Sequence, residues 1–117
     1  MMKKVLYAED EFTNRKILEI ICGKLNYQCI LAEDGLQALE LYRKESPDLV
    51  ILDQYMPGYN GDIVAEKIRQ KDRHTPLVAI TSDDEAVPLL KETGFDRVLV
   101  KPVKNKDYES LLNTYLE

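Results

Sequence analysis

One alternation repeats five times along the 117 residues: a short apolar run, then a stretch with helical spacing. Residues 3–8 (KKVLYA) read as a strand, and Phe12 to Asn26, with Ile17, Ile21, Cys22 and Leu25 on one stripe, reads as a helix. Gln28 to Ala32 is a second strand. Asp34-Gly35 opens a helix with Ala38, Leu39 and Tyr42 inward, and Ser46-Pro47 stops it. Leu49 to Leu52, four aliphatic residues in a row, predict a strand buried on both faces. A third helix starts at Asn60 or Gly61 and carries Ile63, Val64 and Ile68. Leu77 to Ile80 form a fourth strand ending at Thr81-Ser82. Asp83 to Thr93 suit a fourth helix closed by Gly94, with Pro88 awkward inside it. Val98 to Val100 make a fifth strand. From about Lys106 to Leu116 the last helix presents Tyr108, Leu111, Leu112 and Tyr115.

Strands separated by single helices and short links run parallel, and the helices then cover both sheet faces. The reading is an α/β chain, one doubly wound domain over residues 1–117, a length suited to a single core.

Composition narrows the function. A net charge of −5 argues against nucleic-acid binding, because phosphate backbones attract basic surfaces. No apolar run reaches membrane-spanning length, and the opening MMKK-VLYA turns acidic too soon for a signal peptide, so a cytoplasmic location and no membrane association are expected. Cys22 and Cys29 form no CxxC pair and read as buried thiols. The single histidine, His74, lies in a polar run and reads as a solvent-exposed loop residue. Without a second histidine, a His-based metal site or a Ser-His-Asp hydrolase is excluded.

What stands just past each strand is more informative. Strand one delivers Glu9 and Asp10, strand three Asp53, strand four Thr81 and strand five Lys101. In a parallel sheet these ends share one edge, the edge where open α/β sheets bind ligands. Three carboxylates brought together repel one another unless a cation sits among them, and oxygen ligands suit Mg²⁺ or Mn²⁺. A hydroxyl and an ammonium beside that ion suit a phosphoryl group, and an ionised Asp is a candidate nucleophile.

The motifs YAEDE, LDQYMPGYNG (Asp53, Met56, Pro57, Gly61), ITS (Thr81) and VKPV (Lys101, Pro102) stand in order, each at its own strand end. In them the chain resembles, from end to end, a response-regulator receiver domain of the CheY-like type. The resemblance implies a flavodoxin-like (βα)5 fold with sheet order 2-1-3-4-5. It also implies a phosphorylatable switch, not an enzyme acting on an outside substrate. Asp53 matches the phosphoacceptor, Asp10 the direct metal carboxylate and Glu9 the acid beside it. Tyr55 matches the position whose backbone carbonyl coordinates the ion, Thr81 the switch hydroxyl and Lys101 the phosphoryl-binding lysine. A cis Lys101–Pro102 bond is implied too. Glu9 replaces the commoner Asp, Val98 stands where the family usually has Tyr or Phe, and the segment from Thr81 to Lys101 is short and contains Pro88.

Partners implied are a histidine kinase or histidine phosphotransfer protein and a downstream output protein or domain, the chain being a monomer or a phosphorylation-dependent dimer. Three other readings fail on the residues. A haloacid-dehalogenase-type phosphatase wants a second Asp two residues after its nucleophile, where Phe12 follows Asp10. A flavodoxin-like cofactor binder wants a phosphate loop where Glu9-Asp10-Glu11 would repel phosphate. A degenerate interaction module would lack Asp53 or Lys101. The expected read-out is a frayed or short fourth helix, with Pro88 disfavouring a helical Val87.

Overall fold

A computed structural model describes residues 2–117. Five strands, β1 (Lys4–Ala8), β2 (Gln28–Ala32), β3 (Leu49–Asp53), β4 (Leu77–Thr81) and β5 (Arg97–Val100), alternate with five helices. The helices are α1 (Phe12–Lys24), α2 (Gly35–Glu45), α3 (Gly61–Arg69), α4 (Val87–Thr93) and α5 (Asn105–Leu116). The sheet is parallel throughout, in the order β2-β1-β3-β4-β5. Side chains alternate across it. Val5, Tyr7, Leu49, Ile51, Val78 and Ile80 join Leu18, Cys22, Leu111 and Leu112 in a core under α1 and α5. Leu6, Ala8, Val50, Leu52, Leu77 and Ala79 join Ala38, Val64 and Leu90 in a second core under α2, α3 and α4.

The central strands β3 and β4 are buried at every residue, as continuous apolar runs with helices on both faces should be. β2 is an edge strand and only Ala32 in it is fully buried, so Cys29 is half-buried where a buried thiol was expected, while Cys22 has no exposure. His74 is exposed as expected.

Three helices differ from their periodicity. In α1 the buried face is Arg15, Leu18, Ile21 and Cys22, not the Ile17-Ile21-Cys22-Leu25 stripe, and the helix ends at Lys24 with Leu25 as its cap. The displaced Ile17 and Leu25 line a groove with Asn105 and Glu109 of α5. In α3, Ile63 is exposed and Ala65 takes a core place. The expected helix over 83–93 is divided: a 3-10 turn spans Asp84–Ala86, and α4 runs only from Val87 to Thr93. Pro88 lies in its first turn, where the missing N–H has no intrahelical acceptor to lose, and Val87 is helical (φ −56°, ψ −48°). Pro88 therefore starts the helix and does not fray it. Gly94 caps the other end at φ 115°, a left-handed conformation glycine adopts without a Cβ clash.

Candidate functional site

Strand register brings the acidic residues together. Val5 to Ala8 of β1 pair with Leu49 to Leu52 of β3, so the next residues along, Glu9 and Asp53, emerge side by side at the sheet edge. Both continue the alternation of Tyr7 and Ile51 toward the α1/α5 face. Glu9 has no solvent exposure and Asp53 only 4%. Asp10, one residue on, lies exposed at the rim. Carboxylate oxygens of Glu9, Asp10 and Asp53 lie within 4.8 Å of one another.

Lys101 leaves the end of β5 and spans the pair. Its Nζ donates to Glu9 Oε1 at 3.1 Å and to Asp53 Oδ2 at 3.0 Å, and its backbone N–H is held by Thr81 O at 2.8 Å. The Lys101–Pro102 peptide is cis, as the resemblance implied. Burial works against the ammonium, but the two carboxylates outweigh it and hold its pKa above the ordinary value. Asp53 is pushed up to about 7, by burial first and then by Glu9, against the pull of Lys101. Burial alone would raise Glu9 as well; the neighbouring Asp53, the Asn14 amide and the Lys101 ammonium together hold it low. One ammonium does not neutralise three carboxylates. The grouped donors are all carboxylate oxygens, and Glu9 Oε2 is buried with no hydrogen-bond partner. That set fits a hard divalent cation such as Mg²⁺.

The loop after β3 is shaped around Asp53. Gln54 N–H donates to Ile80 O (2.8 Å), Gly61 N–H to Gln54 O (2.9 Å), and Gln54 Oε1 accepts from Asp62 N–H (2.9 Å). A Cβ on Gly61 would stand 2.7 Å from the Asp53 carbonyl oxygen, so only glycine lets α3 begin this close to the strand end. Met56 packs into the adjoining core. Thr81 is wholly buried at the end of β4, and its Oγ1 accepts from Asp83 N–H (3.0 Å) instead of bonding to the acids. Tyr55 extends outward, nearly half exposed, and its hydroxyl donates to Asp83 Oδ2 at 3.3 Å.

Thus Glu9, Asp10, Asp53 and Lys101 converge as expected, with Thr81 and Tyr55 on the flanks. Two residues of α1 were not anticipated. Asn14 Nδ2 donates to Glu9 Oε1, and Arg15, nine-tenths buried, donates to the Glu9 carbonyl (2.7 Å) and pairs with Glu33 (3.2 Å). Their sequence signal is faint: two polar residues in the first turns of a helix that starts at an acidic strand end.

A parallel α/β domain with a buried acid, further acids and a lysine at one sheet edge defines a phosphoryl-accepting class of protein. The family model described as response regulator receiver domain matches residues 5–113, and the chain belongs to that family. It is a phosphoacceptor signalling module of two-component phosphorelays, distinct from a conventional enzyme. The chain is 37% identical over 116 residues to a probable transcriptional regulator, ycf27, of Guillardia theta, covering 97% of this chain and 45% of that relative. It therefore spans about half the length of such relatives. Among solved structures it resembles the chemotaxis response regulator CheY4 of Vibrio cholerae (TM-score 0.90, 26% identity, 99% of this chain and 100% of that one). It also resembles the response regulator TrrA of Thermotoga maritima in complex with Mg²⁺ and BeF (TM-score 0.89, 30% identity, 98% and 100%).

Proposed function

We propose that Asp53 is the residue that takes the phosphoryl group, from a phosphohistidine of a histidine kinase or histidine phosphotransfer protein. The observation that carries this is the placing of a nearly buried carboxylate 3.0 Å from Lys101 Nζ, with two further acids beside it. An ionised Asp53 oxygen attacks phosphorus, the P–N bond to the donor imidazole breaks, and the imidazole leaves with its electron pair. Lys101 releases its contact with the carboxylate and follows the negative charge onto the phosphoryl oxygens. Asp10, Asp53 and the Tyr55 backbone carbonyl would hold Mg²⁺ (or Mn²⁺), with Glu9 assisting. When bound, the ion supplies positive charge to the phosphoryl oxygens and relieves the repulsion among the acids. Thr81, its hydroxyl now engaged only by the Asp83 amide, turns toward the acyl phosphate and carries the β4–α4 link with it.

In this reading residues 1–117 act as one receiver unit in the cytoplasm. It signals to an output protein or domain as a monomer or a phosphorylation-dependent dimer, without itself contacting nucleic acid. No helix among the described residues is long and apolar enough to cross a membrane.

Incubation with acetyl phosphate and Mg²⁺ is expected to add one hydroxylamine-labile phosphoryl group, and Asp53→Asn to abolish the addition. A phosphorylated Asp53→Asn protein, or a wild type inert even with its kinase, would overturn the assignment.

A further inference from the structure

Glu9 is tied at every polar atom but one. Its N–H donates to Ala32 O of β2 (3.0 Å), its carbonyl accepts from Arg15 Nη1 (2.7 Å), and its Oε1 accepts from both Asn14 Nδ2 and Lys101 Nζ. Only Oε2 is left, buried and without a partner. A buried carboxylate oxygen in that state carries a desolvation cost that some ligand should repay. Both of the side-chain donors occupy the same oxygen, so the carboxylate cannot turn about its axis without breaking two hydrogen bonds.

The two donors differ in how permanent they can be. Lys101 is shared between Glu9 and Asp53, and the phosphoryl transfer described above requires it to move onto new oxygens. Asn14 has no hydrogen bond to Asp53, and it is neutral, so it adds no positive charge that would compete with a cation.

Resting on the Mg²⁺-dependent reading above, we infer that Asn14 is a positioning residue for the metal site. It holds Glu9 Oε1 so that Oε2 is the oxygen offered to the cation, and it keeps that setting when Lys101 leaves for the phosphoryl group. Asn14 touches neither the ion nor the reacting atoms and acts only through Glu9. Outer-shell partners of metal-binding carboxylates commonly carry such a share of affinity.

The test is calorimetric titration of the phosphoryl-free protein with MnCl2, which reads metal affinity without any turnover. Asn14→Ala is expected to weaken Mn²⁺ binding roughly tenfold. Asn14→Leu, which keeps the volume but has no donor, should match it and serves if the alanine variant folds poorly. In a Glu9→Gln background, Asn14→Ala should weaken binding no further, because the residue it orients no longer carries charge. Asn14→Ala and Asn14→Leu binding Mn²⁺ within twofold of wild type would overturn the role, as would a loss that persists in full in the Glu9→Gln background. A wild type that takes up no Mn²⁺ would overturn the metal reading itself, and the role of Asn14 with it, which separates the two failures.

Discussion

Tyr55 and Asp83 stand two residues beyond Asp53 and Thr81, and they are joined at the surface by a hydroxyl–carboxylate contact of 3.3 Å. If Asp53 carries the acyl phosphate as proposed, a ring tethered in this way would shield it, and the Asp83 carboxylate would orient an attacking water. Dephosphorylation should therefore be faster in Tyr55→Ala and slower in Asp83→Ala, by at least threefold each. Tyr55→Phe, which loses the tether but keeps the ring, should fall between wild type and Tyr55→Ala. Rates within twofold of wild type for both alanine variants, a barrier change below roughly half a kcal/mol, would sink the idea. Val98 offers no comparable ring. It is half-buried on β5 against the α4-side core, and a β-branched side chain with one stiff torsion cannot report the state by a large rotation.

At the scale of the element, α4 is asymmetric. Its C-terminal end is clamped: Arg69 Nε donates to Gly94 O (3.0 Å), and the same guanidinium bonds Asp72 O, Thr75 O and Asp96 Oδ2. Its N-terminal end follows a 3-10 turn held by the Asp83 side-chain cap and two backbone bonds, Ala86 N–H to Asp83 O and Val87 N–H to Asp84 O, with no side-chain clamp like that of Arg69 among the described residues. A movement of Thr81 on phosphorylation is therefore expected to enter at the N-terminal end and to die out before the clamped Gly94. Binding of a beryllofluoride phosphoryl mimic should change hydrogen exchange most over residues 82–88, with residues 91–95 nearly unaffected. An exchange response confined to β5 and α5 would contradict this. The divided helix also narrows the read-out expected at the fourth helix to its N-terminal end and the turn before it.

At the scale of the molecule, the two sheet edges have separate duties. The C-terminal strand ends carry repelling acids and an orphaned oxygen; the opposite edge carries satisfied networks. There, burial alone would raise Asp72, but hydrogen bonds from the Thr75 hydroxyl, Tyr42 and the amides of Thr75 and His74 outweigh it and hold its carboxyl well below the usual range. A depressed folded pKa gives stability that is complete above the unfolded value, near 3.9, and is lost as pH falls through the folded one. Asp72→Ala should cost about 2 kcal/mol at pH 7, hydrogen bonds to a charged group being worth roughly 1.5–3 kcal/mol together with the loop they order. That corresponds to a Tm drop of roughly 8 °C. The gap between variant and wild type should shrink below about pH 4, and thermal melts between pH 3 and 7 would show it. A gap that widened on acidification would refute the linkage.

Much of this was legible in the residues. Five apolar runs in strict alternation with amphipathic stretches leave one kind of sheet, and the sheet parity then puts Glu9 and Asp53 on one face. The identities of the acids, the hydroxyl and the lysine at the strand ends are local facts, and they sufficed to point to phosphoryl chemistry. What the chain order could not show was rotation and partnership. Whether α1 buries Leu18 or Leu25 depends on how its axis lies over β1 and β2, and whether Pro88 breaks or begins a helix depends on where the preceding turn ends. The grip of Asn14 and Arg15 on Glu9 depends on the first turns of α1 folding back over the strand end. Periodicity fixes which residues share a face, but only packing against a second element fixes which way that face is turned.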